Sequence, residues 1–438
     1  MKALFTKDTV RRGVAAHSAI GLICCALLYL ICVTGTAIVL YEEWQRFEQP
    51  DAPEMQAVTP SAIDTAIANV AASETGREPT THLFVHMPTD ALPRTTITTD
   101  TQAVHVDGKG AIVVPEENAW AEFLLALHYR LNLPAVWGMT LVGLFGAMIV
   151  ALAVSGIVAH PRIFRDAFRL RARRRDDVAT LDWHNRLAVW TLPFALAMAL
   201  TGAMIGLFYI SGSSLAQTAY DGDGDAALAP VFGAEPEADD TPAPLPRVAP
   251  VLRYMAREYP AVRVSYLILH DPGTRGQHIQ VVGEHDRRLI FGEYYAFAAD
   301  GTFRGTIGLA DGTIGQQFAA SIYNLHFGNY GGLPVKIAYI LFGIALSAVV
   351  ATGTFIWLDK QARKGRPRPV IRAGWWGVTI GMPVAIATTL VARLIWGNEA
   401  PFVAIFWIAT LAITAAAMHR SRRAGARGTA SATPGFAP

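Results

Sequence analysis

The sequence predicts an α-helical polytopic membrane protein: a four-helix core from two parallel repeats, two extra C-terminal helices, and two small α+β modules outside the membrane. Three observations predict it. Of 438 residues, 52% are hydrophobic and only 16% charged, and mean hydropathy is positive, which is too apolar for a soluble domain. Six runs, roughly 15–41, 135–159, 185–210, 333–358, 374–396 and 401–418, meet the requirement of about 20 mainly apolar residues for a spanning helix. A signature also recurs inside these runs: His17, sixteen residues, Thr34-Gly35; then His184, sixteen residues, Thr201-Gly202.

Basic residues set the orientation. They cluster at Lys2, Lys7, Arg11 and Arg12, through Arg162–Arg175, through Lys360–Arg372, and at Arg420–Arg427. All four clusters fall on one side, the cytoplasm by the positive-inside rule. This leaves 42–134 and 211–332 outside, 160–184 and 359–373 as cytoplasmic loops, and both termini cytoplasmic. The net charge of +2 is thus a statement about topology and gives no reason to expect nucleic acid. The first run, within 1–41, is longer than a signal-peptide core and ends in Tyr41-Glu42-Glu43-Trp44 without a small-x-small cleavage site, so it reads as an uncleaved anchor. Cys24, Cys25 and Cys32 all lie in it and read as small apolar packing residues. No C-x-x-C-H occurs, which argues against covalently attached haem.

The repeat extends beyond the two histidines. The second run contains Phe145-Gly146, eight residues, then Ser155-Gly156; the fourth contains Phe342-Gly343, eight residues, then Thr352-Gly353. Each is preceded by a Leu-His pair, Leu127-His128 and Leu325-His326, just outside the membrane. Residues 10–175 and 177–372 are therefore two copies of one plan, a parallel repeat about an axis along the membrane normal. The hairpin 374–418 stands outside it, and the tail 419–438 is low in complexity and reads as disordered.

The two external segments match coarsely. In the first, a helix at Ser61–Ala72 precedes strands near Thr81–Met87 and Thr95–Thr99 and a turn at Asp107-Gly108. In the second, a helix at Val248–Tyr259 precedes strands near Val262–Leu269, His278–Val282 and Tyr294–Ala298 and a turn at Asp300-Gly301. The segment 221–246, rich in Pro, Ala and acidic residues, reads as a flexible or irregular loop.

Histidine inside a membrane is costly without a partner or a role. Eighteen helical residues make five turns, so Gly35 falls on the face of His17 about 27 Å further along, and Gly202 relates to His184 in the same way. Gly21 and Ala188 keep those faces slim. Imidazoles with small residues beside them suit a flat, bulky cofactor, and paired neutral imidazoles in an apolar setting suit iron in haem b. Pseudo-symmetry pairs His17 with His184 at an inner haem and His128 with His326 at an outer one, with Gly35 and Gly202 at the depth of the outer ring. His160 has no counterpart, Trp357 standing in its place, and is an alternative inner ligand. Arg130 and Arg186, each two residues after a candidate ligand, are candidate partners of haem propionates, or snorkelling anchors. The plainer alternatives are that His17 and His184 cap helix starts and that His128 and His326 pack in interfacial segments. Tyr41, Trp44, Tyr323 and Tyr330 fit an interfacial aromatic belt or an aid to electron exit.

Other motifs fail. Asp221-Gly-Asp223-Gly-Asp225 begins like an EF-hand, but Ala226 and Phe232 stand where its glycine and glutamate belong. His82 and His86 share a strand face without a completing ligand. Walker A, G-x-G-x-x-G and nucleophile-elbow patterns are absent, so an electron donor has to be another molecule, a quinol or a cytoplasmic reductase.

Arg12…His17…Gly21…Thr34-Gly35, Leu127-His128-Tyr-Arg130, Asp182-Trp-His184-Asn-Arg186…Thr201-Gly202 and Leu325-His326-Phe-Gly328…Gly331-Gly332…Thr352-Gly353 together resemble the PepSY-associated transmembrane helix family over about residues 8–360. The resemblance implies four core helices, two PepSY-like periplasmic modules, b-type haems on His17, His128, His184 and His326, and residence in the bacterial inner membrane. It also implies reduction of Fe(III) in a siderophore in the periplasm so that Fe(II) is released. Two other classes stay open: a regulatory or assembly protein whose modules bind a peptide or protease, and a transporter whose histidines coordinate a moving metal or haem.

Overall fold

In the computed structural model, residues 6–168, 176–234, 236, 238–285, 289 and 292–430 are described. The basic run at 169–175 and the end of the tail, 431–438, lie outside them. The chain is a multi-pass membrane protein that divides into two units. A helical unit comprises residues up to Val39, Ala119–Leu207 and Leu333 onward; a sheet unit comprises Leu40–Asn118 and Phe208–Gly332.

The helical unit contains α1 (Lys7–Ala37), α2 (Ala119–Arg130), α3 (Ala135–Ala159), α4 (Asp176–Trp190), α5 (Leu192–Gly206), α6 (Gly332–Arg363), α7 (Pro369–Trp396) and α8 (Phe402–Ala430). Among the described residues five helices are long and apolar enough to cross a membrane, six if the bent pair α4–α5 is one span. Thr6 starts α1 by accepting from the Thr9 amide, and its 31 residues reach about 46 Å at 1.5 Å each, beyond the roughly 30 Å of hydrocarbon.

The third run departs from the straight helix expected over 185–210. Its two parts meet at 64° around Thr191. Pro193, in the first turn of α5, has no amide hydrogen to donate and its ring collides with the preceding turn, so it opens a helix and cannot continue one. The five-turn relation between His184 and Gly202 is broken there, whereas α1 keeps its own. At the C-terminus, α8 continues through Ala430, where a disordered tail is expected from Arg420.

With lipid on one side, helices associate by close contact between small residues. A Cβ on Gly206 would lie 2.7 Å from Gly143 Cα, and one on Gly377 2.6 Å from Thr414 Cα, so α3 lies against α5 and α7 against α8 nearly backbone to backbone. The α7–α8 hairpin is fastened to the bundle by buried donors. Tyr29 Oη donates to the Thr379 carbonyl at 2.7 Å, Trp120 Nε1 to Thr389 Oγ1 at 3.0 Å, and Trp375 Nε1 to the Ala351 carbonyl at 3.0 Å. Cys24 and Cys32 are buried as packing residues, with Cys24 Sγ 3.0 Å from Met148 Sδ.

The sheet unit is one sheet, not two separate modules. Strands β1 (His82–His86), β2 (Thr95–Thr98), β3 (Ala103–Val106), β4 (Ile112–Pro115), β5 (Val262–His270), β6 (His278–His285), β7 (Glu293–Ala298) and β8 (Phe303–Thr306) run antiparallel in the order β4-β3-β2-β1-β5-β6-β7-β8. Each half is a meander whose exposed first strand would invite aggregation. Pairing β1 with β5, Phe84 opposite Ile268, removes both edges at once. Leu83, Val85, Leu267 and Leu269 project to one face, where helices Pro60–Ser73 and Ala249–Glu258 complete a single shared core. Asp64 of the first helix ties it to the second, accepting from the amides of Val248 and Ala249 at 2.7 and 3.0 Å. A carboxylate there satisfies amides with no intrahelical partner. Strands β3, β4 and β8 add to those expected, flanking the turns at Asp107-Gly108 and Asp300-Gly301. Part of the expected loop 221–246 is helical, Gly224–Phe232, with Asp223 of the EF-hand-like run capping the Ala226 amide.

Two histidines are buried in this unit in neutral form. His105 Nε2 donates to Gln49 Oε1 at 3.1 Å, and its Nδ1 lies 2.9 Å from Thr96 Oγ1. Burial, with Arg94 nearby, pushes its pKa down to about 4. His270 lies between His82 and His278, ring centroids 4.9 and 4.3 Å away, and burial with these neighbours pushes it down to about 3. The unfolded chain takes up protons near the ordinary 6.5, before the folded unit does, so stability present above that pH is lost as pH falls through the window. For His105 the window, 6.5 to about 4, is worth about 3 kcal/mol. Thermal unfolding followed from pH 7 to 4 should show the sheet unit weakening steadily, with a shallower slope in His105→Gln; an unchanged slope would contradict the assignment.

Candidate functional site

Three imidazoles in the helical unit are held the same way. His17 Nδ1 lies 3.0 Å from the Leu152 carbonyl and 3.3 Å from Ser155 Oγ on α3. His128 Nδ1 lies 3.0 Å from the Ile31 carbonyl and 3.3 Å from Thr34 Oγ1 on α1. His184 Nδ1 lies 3.0 Å from Thr352 Oγ1 on α6 and hydrogen-bonds the Val349 backbone. In each case the carbonyl is three residues before the hydroxyl. The hydroxyl donates to the carbonyl one residue earlier still, Ala151, Leu30 and Ala348, at 2.7, 2.8 and 2.7 Å, which leaves its lone pairs toward the ring.

The glycine after the hydroxyl makes room for the ring. A Cβ on Gly35 would come 2.7 Å from His128 Cε1, on Gly156 3.3 Å from His17 Cε1, and on Gly353 3.4 Å from His184 Cε1. The Thr34-Gly35 pair thus receives His128 and does not form a slim face for its own His17. Each of these three Ser/Thr-Gly pairs is a socket for a histidine from another helix. In the fourth, Thr201-Gly202, Thr201 is buried and makes the same bond to the carbonyl four residues back, Ala197, at 2.6 Å.

A carbonyl can only accept, so Nδ1 carries the hydrogen and Nε2 presents a lone pair. The rings of His17 and His184 stand 6.4 Å apart centroid to centroid, 83° between their planes. Two imidazole–metal bonds of about 2.0–2.1 Å, with roughly 1.2 Å from each ring centre to its nitrogen, span about 6.5 Å. Among the described residues no three His, Cys, Asp or Glu side chains converge as a metal site. The ring separation fits two imidazoles on one metal whose remaining ligands would come from a macrocycle.

The other expected residues fall as follows. Arg186, two residues from His184, is buried. Arg130 ends α2 with its guanidinium 5.6 Å from the Tyr129 ring, and its buried Nε has no hydrogen-bond partner. His160 caps α3, its amide donating to the Gly156 carbonyl at 3.1 Å; the ring brought to His17 is that of His184. Leu127-His128 lies on α2, in the helical unit. His326, on helix Ile314–Phe327, belongs to the sheet unit, its ring 5.6 Å from Phe327. The socket residues Ser155, Thr352, Leu152 and Ile31 escape a reading of single runs, although the repeated Ser/Thr-Gly spacing marks where they are.

The model of the PepSY-associated TM region family matches residues 14–360. Among curated proteins, the chain is similar to an uncharacterized protein, PA4219, of Pseudomonas aeruginosa, 27% identical over 255 residues. The matched stretch is 55% of this chain and 64% of that protein, so the chain spans less than two thirds of that relative's length.

The sockets make a specific prediction. Gly35→Ala places a methyl against His128 and should destabilise the protein by about 1–3 kcal/mol. At Gly21 a Cβ meets only Leu152 Cδ2 at 3.7 Å, so Gly21→Ala should be neutral or slightly stabilising. Equal unfolding temperatures in detergent for the two variants would refute the socket.

Proposed function

The chain belongs to the PepSY-associated TM region family, and on that footing we propose that it is a haem b oxidoreductase of the bacterial inner membrane that passes electrons outward to a ferric siderophore. The observation that carries the proposal is the His17–His184 pair, 6.4 Å apart and nearly perpendicular, each ring held through Nδ1 with Nε2 left as a ligand. When bound, haem supplies a one-electron Fe(III)/Fe(II) couple. The protein's part is to fix both imidazoles in tautomer and direction, which second-shell carbonyls and hydroxyls do for metal-ligating histidines in general.

His128 is prepared in the same way and supports a second haem. The unpartnered Nε of Arg130, two residues from His128, is a donor for a propionate carboxylate, and buried Arg186 supplies positive charge beside His184. A buried guanidinium near a carboxylate forms a charge-assisted bond stronger than a neutral one. By the positive-inside rule the His17 end of α1 is cytoplasmic, so electrons enter there from a quinol or a cytoplasmic reductase.

The test is a visible spectrum of the detergent-purified chain before and after dithionite. A Soret band that sharpens and shifts on reduction is expected, with about half its intensity lost in both His17→Ala and His184→Ala. A protein without a Soret band would sink the redox reading in favour of a regulatory role. Haem that washes out and exchanges would favour transport.

A further inference from the structure

A cleft of about 400 Å³ opens between α1 and α6 at their basic ends. The two helices run in opposite directions, so the start of α1 and the end of α6 lie at one level. On α1 the residues between Arg12 and Glu42 include no charged side chain, and on α6 the same holds between Lys336 and Asp359. Arg11 and Lys360 therefore mark the polar boundary of the two spans.

The cleft is graded from charge to hydrocarbon. Arg11, Lys360, Gln361 and Lys364 stand at its basic end, and Val14, Ala15 and Ser18 on α1 and Trp357 on α6 follow toward the middle of the spans. These positions recur at intervals of three and four, 11-14-15-18 along α1 and 357-360-361 along α6, with Lys364 in the turn that follows α6. Nearby acids leave the lysines uncompensated. Asp8 pairs with Arg11 and Arg12, Asp359 pairs with Arg372, and Lys360 and Lys364 have no carboxylate partner among the described residues. Arg368 lies over Trp357, 5.8 Å from its ring, and fixes the indole at the level where tryptophan favours a membrane interface.

We propose that this cleft binds the headgroup of an anionic phospholipid, with the phosphodiester among Arg11, Lys360, Gln361 and Lys364 and the acyl chains running past Val14 and Ala15 toward the hydrocarbon. A soluble phosphate would use the cations but leave the apolar wall without a purpose. Basic pockets between spanning helices on the cytoplasmic side are suited to such headgroups, and each Lys or Arg there adds an increment of attraction. The site is separate from the histidine sockets and does not depend on the redox reading.

The full chain, delipidated in a neutral detergent, is titrated with phosphatidylglycerol, phosphatidylcholine or sn-glycerol 3-phosphate, and bound species are counted by native mass spectrometry. Phosphatidylglycerol should bind at least tenfold tighter than phosphatidylcholine. Lys360→Gln with Lys364→Gln should weaken it by roughly 30-fold at about one increment per lysine, while Arg420→Gln with Arg422→Gln on α8 leaves it unchanged. Ala15→Trp fills the wall without altering charge and should weaken binding as well, a check independent of how the lysine variants fold. Equal affinity for the two lipids, or equal loss from the α8 variants, overturns the proposal; glycerol phosphate binding as tightly as the lipid replaces it with a soluble-anion site.

Discussion

An imidazole inside a bilayer has to have its N–H satisfied, because no water is at hand to do so. Here the requirement is met from one turn of a neighbouring helix: a carbonyl, a hydroxyl three residues later, and a glycine after it. Most of the helical unit follows from that arrangement. At Gly35 only glycine leaves room for the ring, and at Gly156 and Gly353 the ring packs close against the bare backbone, so the helices meet where Ser155-Gly156, Thr34-Gly35 and Thr352-Gly353 occur. The tautomer is fixed as well, since a carbonyl forces the hydrogen onto Nδ1. The 64° bend at Thr191 then has a reading. It frees the part of the chain bearing His184 from the direction of α5 and lets its ring reach α6 and His17 together.

The repeat was legible in the sequence because spacing along a helix is a one-dimensional quantity. Its meaning was not, because a socket joins residues on different helices. His17 and Gly35 share a spacing yet serve two different contacts. The bend had a visible signal in Pro193, but the unbroken apolar run around it outweighed one residue. In the sheet unit, helices and most strands were readable from period and turn residues. The β1–β5 pairing was not, since His82–His86 and Val262–His270 are far apart in the chain and nothing local sets which strand edges meet.

That pairing and Asp64 make one body of two similar halves, with a single core beneath eight strands. A core shared in this way buries more apolar surface than two small modules could alone, and small modules are otherwise marginal. The C-terminal hairpin has a comparable role in the helical unit. Its buried tyrosine and tryptophan bonds hold α7 against α1, α2 and α6, so the helices beyond the repeat wall the bundle that carries the sockets.

The central claim is that His17 and His184 are spaced for a metal held between their Nε2 atoms. A high-resolution cryo-electron microscopy map of the purified chain in lipid nanodiscs tests it most directly. Planar macrocycle density between the two rings, with a strong central peak joined to both, is the expected result. A direct contact between the rings, or a water bridging them with lipid or side chains filling the space, would contradict it.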